Sequence, residues 1–150
     1  MTHYLIRHAD AVPNRDDSIR ELSARGRSQV AALCASLRDT AFQPVEIWHS
    51  PLVRARETAV LLASGLGHSA ALIEMEGLQP EDDPDGVAQA LEAETRDIAV
   101  VGHEPHLGIL AALMMGGESS GASFSFPKAG VLALQRIRRR WLGEWIARQP

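Results

Sequence analysis

Apolar residues along this chain alternate between short continuous runs and stretches spaced at helical intervals. Short runs bounded by turn residues predict strands, and helical spacing between them predicts helices. The run at 97–101 is apolar enough to predict a strand buried on both faces. The predicted strands cover residues 4–7, 45–49, 70–75, 97–101, 131–137 and 141–147.

Four helices are predicted between these strands. The first begins after Ser23 as N-cap, and the second ends at Gly65 and Gly67. The third follows an acidic loop at 81–85 and runs to about Glu94, and the fourth follows residues 102–105 and is closed by Gly116 and Gly117. Alternating strands and helices with a final strand pair predict an α/β fold. We expect a three-layer α/β/α sandwich with a mostly parallel central sheet, an antiparallel pair at the C-terminus, and one domain over residues 1–150.

Charge and cysteine content exclude several classes of protein. The 150 residues carry a net charge of −4, which argues against nucleic-acid or membrane binding. No segment approaches the ~20 apolar residues of a membrane span, and no signal-like stretch follows Met1. We therefore expect a cytoplasmic protein, and a monomer. The single cysteine, Cys34, allows no internal disulfide, and its helix position predicts a buried thiol.

Residues with phosphate-binding chemistry follow three of the predicted strands. Arg7 and His8 end the first strand, Ser50 and Arg54 follow the second, and His103 follows the fourth. The carboxyl ends of parallel strands meet at one sheet edge, where open α/β folds bind ligands. One guanidinium group can bind two phosphate oxygens at once, and helix N-termini favour anions. The sequence therefore predicts an anion site, with Arg54 and His103 lining a solvent-open pocket.

Three motifs give this site a family resemblance. Residues 5–11, LIRHADA, resemble the RHG signature of the histidine phosphatase superfamily, with Ala9 in place of the usual glycine. Residues 50–59, SPLVRARETA, and 100–105, VVGHEP, resemble its second and third motifs. The short length, residues 7–11 and the Lys128-Ala129-Gly130 segment look most like the SixA-type phosphohistidine phosphatases. The alanine would matter only if the backbone at position 9 required a positive φ.

The resemblance implies a phosphoglycerate mutase-like fold and a phosphatase that needs no cofactor or metal. In it His8 would carry the phosphoryl group, and Arg7, Arg54 and His103 would bind and polarise the phosphate. Ser50 is a further candidate phosphate ligand, as is Arg20, where the family often keeps a basic residue at the pocket rim. The implied substrate is a phosphohistidine on a partner protein in signal transduction. The chemistry agrees, because a neutral imidazole is nucleophilic near pH 7 and neighbouring arginines disfavour its protonation.

No general acid stands out in the sequence. In residues 77–83, where larger relatives such as the phosphoglycerate mutases keep a proton donor, Glu81, Asp82 and Asp83 are equally placed and also fit an acidic surface loop. A phosphohistidine needs little help, because imidazole has a conjugate-acid pKa of ~6.5, against roughly 15–16 for a water-like hydroxyl. Two alternatives stay open. One is a broader small-molecule phosphomonoesterase with an acidic-loop carboxylate as general acid, and the other is a non-catalytic phosphate- or phosphoprotein-binding module.

The other histidines and the basic residues suggest no second catalytic site. His103 and His106 are three residues apart, so they do not form the H-E-x-x-H zinc motif, and the pocket arginines would oppose a metal cation. His106 is near enough to His103 to touch substrate, whereas a structural place is expected for His3, His49 and His68. Arg136 and residues 138–140 form a basic stretch at the last predicted turn. It fits a solvated face, with guidance of an acidic protein partner as the alternative.

Overall fold

Residues 1–116 and 124–148, the part of the chain described by the computed structural model, form six strands and four α-helices. None of these helices has the length and apolar character needed to cross a bilayer. The strands are β1 (Thr2–Arg7), β2 (Glu46–His49), β3 (Ala71–Glu74), β4 (Ile98–Gly102), β5 (Val131–Ile137) and β6 (Arg140–Ala147). The helices are α1 (Ala24–Leu37), α2 (Val53–Leu66), α3 (Asp85–Ala93) and α4 (His106–Met114).

The strands form one mixed sheet in the order β3-β2-β4-β1-β5-β6. The first four strands are parallel, while β5 runs antiparallel to β1 and β6 antiparallel to β5. Successive side chains of β1 point to opposite faces, so Tyr4 and Ile6 pack under α1 and α2 while Leu5 packs under α3 and α4. Every residue of β4 is buried, as predicted. The three-layer α/β/α sandwich is confirmed.

The ends of the helices follow the local signals, with one exception. The Ser23 hydroxyl accepts the amide proton of Gly26 at 2.9 Å, which confirms the N-cap of α1. Gly67 ends α2 with a φ of 67°, whereas the prediction that Gly65 also ends it is wrong. A Cβ on Gly65 would lie 2.7 Å from Cys34 Sγ, so this glycine allows α1 and α2 to approach closely. Gly116 follows α4 with a φ of 83°, and Gly117 lies outside the described residues.

The strand register places the candidate residues at one edge of the sheet. Arg7 pairs with Gly102 across β1 and β4, and His49 pairs with Val101 across β2 and β4. The residues that follow these strands are His8, Ser50 and His103. They therefore lie side by side at the carboxyl edge.

Candidate active site

The backbone of His8 is held on both sides at the end of β1. Its amide donates to the carbonyl of Gly102 at 3.0 Å, and its carbonyl accepts the amide proton of Ala129 at 3.3 Å. The ring atom Nδ1 lies 2.7 Å from the carbonyl oxygen of Ala9. Because a carbonyl oxygen only accepts, Nδ1 carries the proton of the neutral ring. The lone pair is therefore on Nε2.

The His8 ring stays neutral well below physiological pH. Burial lowers the pKa of His8 to about 4, against the hydrogen bond to Ala9, and the charges of Arg54, Arg7 and Lys128 lower it further. These cations disfavour a second positive charge between them. The nitrogen with the lone pair is thus available as a nucleophile over the whole physiological range.

Ala9 occupies the usual glycine position of the motif without backbone strain. Among described non-glycine residues only Ala129 and Arg138 have a positive φ. The buried amide of Ala9 donates to Thr58 Oγ1 at 3.1 Å, and the Thr58 hydroxyl donates to the carbonyl of Arg54 at 2.7 Å. Thr58 therefore joins the end of β1 to the first turn of α2.

The two candidate arginines are anchored through their terminal nitrogens. Arg7 Nη1 donates to the carbonyl of Phe126 at 2.9 Å. Arg54 Nη1 donates to the backbone carbonyl of Asp17 at 2.9 Å, and its Nη2 lies 3.2 Å from Asp17 Oδ2. The Nε atoms of both arginines are buried and have no partner among the described residues. Each guanidinium thus keeps one buried N–H donor free.

His103 is oriented by Ser50. Ser50 Oγ lies 2.6 Å from His103 Nε2 and accepts the amide proton of Leu52 at 3.3 Å. The buried hydroxyl needs an acceptor for its own proton, and Nε2 is the acceptor within reach. The neutral ring then carries its proton on Nδ1, which is buried and without a partner among the described residues.

The rings of His8 and His103 are neighbours, with centroids 5.1 Å apart and planes tilted by 49°. Burial lowers the pKa of His103 to about 2, assisted by His8, Arg54, His106 and Arg7. Both rings are neutral, so one can offer a lone pair while the other offers an N–H. Arg54 and His103 are only 4% and 1% exposed. The prediction that they line a solvent-open pocket is wrong, because the 11–20 segment and Ser50 cover them.

Arg20 is partly exposed, and its donors are directed into the loop that connects β1 to α1. Its Nε and Nη2 donate to the carbonyls of Val12 and Ala11, at 3.1 and 3.4 Å. Its Nη1 lies 3.3 Å from Asp17 Oδ1. Ser50 likewise uses its hydroxyl on His103. The phosphate-binding roles expected of Arg20 and Ser50 stay predictions.

The acidic loop approaches the site through His106. Asp82 Oδ2 accepts the amide proton of Gln79, and Asp83 Oδ1 that of Asp85, both at 2.9 Å. Burial lowers the pKa of His106, while Asp82 and Asp83 raise it. These carboxylates therefore stabilise their own loop. Neither they nor Glu81 hydrogen-bonds to Arg7, His8, Arg54 or His103.

Three residues have no signal in the sequence for the contacts they make at the site. Asp17 lies in a polar stretch without periodicity, and Thr58 lies inside the second motif without a predicted partner. Glu104 stands inside the third motif, where its carboxylate accepts the amide protons of Gly108 at 2.8 Å and Phe126 at 3.1 Å. Since Phe126 also anchors Arg7, Glu104 links α4 to that arginine. Only the folded structure brings these partners together.

Two other predictions from the sequence concern metal binding and the basic turn. No three metal-binding side chains converge within residues 1–116 and 124–148. The basic turn between β5 and β6 lies at the end of the sheet away from His8, because Thr2 pairs with Gln135 and Ile6 with Val131. Guidance of an acidic partner by that turn would therefore act at a distance from the pocket.

Solved structures with the same fold include several phosphatases. The protein histidine phosphatase SixA complexed with tungstate superposes with a TM-score of 0.87 at 21% identity, over 97% of this chain and 95% of that one. The α-ribazole phosphatase of Shigella flexneri gives 0.78 at 18%, over 99% and 96%. A phosphoserine phosphatase of Entamoeba histolytica with 3-phosphoglyceric acid gives 0.74 at 16%, over 96% and 95%. At these identities the likeness establishes the phosphoglycerate mutase-like fold.

Sequence relationships establish the family. A protein of Picosynechococcus sp. is 30% identical over 143 residues, which cover 90% of this chain and 85% of the relative. The model of the histidine phosphatase superfamily (branch 1) matches residues 3–81, which include the RHG-like motif and the Ser50–Ala59 motif. Family membership supports phosphatase activity. The chain belongs to branch 1 of the histidine phosphatase superfamily.

Proposed function

We propose that this protein is a metal-independent phosphatase that hydrolyses phosphohistidine on a partner protein through a covalent intermediate on His8. The observation that carries the proposal is a set of three buried donors that have no partner among the described residues, Arg7 Nε, Arg54 Nε and His103 Nδ1. Buried donors require acceptors, and a tetrahedral oxyanion supplies several at once. Next to them His8 holds its lone pair on Nε2, so the phosphate meets a nucleophile where it is bound.

The reaction proceeds in two displacements at phosphorus. His8 Nε2 forms a bond to phosphorus as the bond to the substrate's imidazole nitrogen breaks, and a substrate ring that is protonated at its other nitrogen leaves as neutral imidazole. Water then attacks the phosphorus of phospho-His8, whose ring keeps its proton on Nδ1; the bond to Nε2 breaks, the electron pair returns to Nε2, and the proton of the water passes to the released phosphate or to solvent. In both steps the arginines and the His103 N–H stabilise charge on the equatorial oxygens.

The state of the nearby carboxylates supports a substrate with a good leaving group. Against burial, the charge of Arg54 and a hydrogen bond from Arg20 lower the pKa of Asp17. Hydrogen bonds from Lys128 and Ser23 lower the pKa of Asp10. Glu104 uses both oxygens on backbone amides. A general acid must be protonated before transfer, and imidazole leaves without one.

A small-molecule phosphomonoesterase is the second candidate function. It is favoured by the structural likeness to proteins named as α-ribazole and phosphoserine phosphatases. In that case a carboxylate of the 81–83 loop would protonate the leaving alkoxide, which requires the loop to move onto the site. Replacing the carboxylates of residues 81–83 by amides therefore tests this candidate.

The test compares wild type with His8→Ala and with His68→Ala, a histidine substitution just before β3, at the opposite end of the sheet. Each protein is incubated with a carrier protein bearing ³²P-phosphohistidine, with p-nitrophenyl phosphate and with an alkyl phosphate. We expect wild type and His68→Ala to release phosphate from the carrier and to form an acid-labile phosphoenzyme, and His8→Ala to do neither. Unchanged release by His8→Ala would refute the nucleophile. Faster hydrolysis of the alkyl phosphate, lost in an 81–83 triple amide variant, would establish the second candidate.

A further inference from the structure

Asp17 holds Arg54 from the side away from its free donor. The backbone carbonyl and the carboxylate of Asp17 each take one terminal nitrogen of the guanidinium. Arg54 has five N–H donors in a rigid plane, so two contacts to one residue fix the rotation of that plane. The unpartnered Nε–H is thereby left as the buried donor.

The carboxylate of Asp17 is itself held by a second arginine. Arg20 Nη1 contacts Oδ1, while Arg54 Nη2 contacts Oδ2. Arg20 is in turn tied to the carbonyls of Val12 and Ala11. Asp17 therefore lies between a buried guanidinium and a partly exposed one, although its own side chain is 64% exposed.

Two effects of this carboxylate on phosphate oppose each other. Its negative charge lies beside an arginine of the anion site and repels a bound phosphate. Its two contacts hold the guanidinium in one orientation, which favours turnover. A residue that only stabilised the loop would change binding and turnover in the same direction.

We propose that Asp17 is a positioning residue for Arg54, trading phosphate affinity for turnover. The inference rests on the proposed role of Arg54 as a phosphate ligand. The neighbouring Asp16 offers a matched control, because it carries the same charge on the same loop and its carboxylate accepts, among the described residues, only from Ser18.

The test uses Asp17→Asn, Asp16→Asn, Asp17→Glu and Arg54→Ala in the full chain. Calorimetry gives the Kd of inorganic phosphate, p-nitrophenyl phosphate hydrolysis gives kcat, and thermal melts confirm folding. We expect Asp17→Asn to bind phosphate about two- to fivefold more tightly, since it removes a screened charge. We also expect its kcat to fall on the order of tenfold, because a neutral amide oxygen holds Arg54 Nη2 more weakly than the carboxylate does and only the backbone carbonyl contact is unchanged.

The other variants separate charge from position. Asp17→Glu keeps the charge but moves the carboxylate, so its kcat should fall without tighter phosphate binding, and Asp16→Asn should match wild type. Weaker phosphate binding together with lower kcat in Asp17→Asn, an unchanged kcat, or the same split in Asp16→Asn would each overturn the inference. Wild-type phosphate binding by Arg54→Ala would instead overturn the proposed site itself.

Discussion

Ser50 Oγ and His103 Nε2 are 2.6 Å apart in a region that is almost fully buried. The hydroxyl faces one nitrogen of the ring and leaves the other, Nδ1, as a donor without a partner in the described part of the chain. A single serine therefore fixes both the tautomer and the direction of the ring. The proposed phosphate contact of His103 depends on this bond.

Ser50→Ala is expected to reduce kcat on the order of tenfold or more, because His103 loses its orientation. It should also lower the free energy of unfolding by about 1–3 kcal/mol, since Nε2 becomes a buried group without a partner. Steady-state kinetics and urea denaturation measure both effects. Ser69→Ala, an exposed serine before β3, is the control, and equal kinetics in the two variants would contradict the role of Ser50.

Thr58→Ala is expected to weaken the connection between β1 and α2. The variant leaves the buried amide of Ala9 without its acceptor, which costs about 1–3 kcal/mol of unfolding free energy. Thr58→Ser keeps the hydroxyl and should recover most of that loss. Urea denaturation of the three proteins provides the measurement, and a serine variant as unstable as the alanine variant would show that the methyl group matters instead.

Acid is expected to destabilise the protein in part through His8, because between pH ~6.5 and 4 its ring is protonated only in the unfolded chain. The folded pKa of His8 is about 4, below the ~6.5 of an unfolded histidine. The contribution of His8 to the free energy of unfolding is constant above pH ~6.5. It is lost as the pH falls toward 4, because in that range only the unfolded chain binds the proton. The loss amounts to roughly 3 kcal/mol over that window.

Two measurements check this prediction. Urea denaturation between pH 7 and 5 should show a steeper loss of stability for wild type than for His8→Gln. An NMR titration should find the His8 ring neutral at pH 5. A His8 resonance that titrates near pH 6.5 would contradict it.

Glu104→Gln is expected to loosen the anchor of Arg7. The amide can accept only one of the protons from Gly108 and Phe126, so one backbone amide loses its partner at a cost of about 1–3 kcal/mol. Because the carbonyl of Phe126 binds Arg7, phosphate binding should weaken as well. Glu144→Gln, the same change at an exposed position of β6, serves as the control. Equal phosphate affinity in the two variants would contradict the link between Glu104 and Arg7.

Most of the fold could be predicted because its signals are local. The apolar run of β4 and the Ser23 cap of α1 are properties of neighbouring residues, and both were found as predicted. Gly65 shows the limit of such signals. A glycine near a helix end resembles a C-cap, yet this one serves a contact with Cys34, a residue far away in the chain.

The same distinction between local signals and contacts distant in sequence applies to the candidate site. Arg7, His8, Arg54 and His103 could be named from the sequence because each lies at or just after the end of a strand and belongs to a motif. The contacts of Asp17 to Arg54 and of Thr58 to Ala9 could not be predicted, since they span 37 and 49 positions of the chain. Burial also escaped prediction, because it depends on how the 11–20 segment folds back over Arg54.

The central position of β1 in the sheet has a consequence for the thermal inactivation of this protein. Hydrogen bonds from the amides of Arg7 and His8 reach Gly130, just before β5, and Gly102, the last residue of β4, and these two strands flank β1. Amides in such a position exchange with solvent only when the whole sheet opens, and not by local fraying. Heat should therefore abolish phosphate binding and the folded state in a single transition, so partial inactivation reflects a mixture of intact and unfolded molecules.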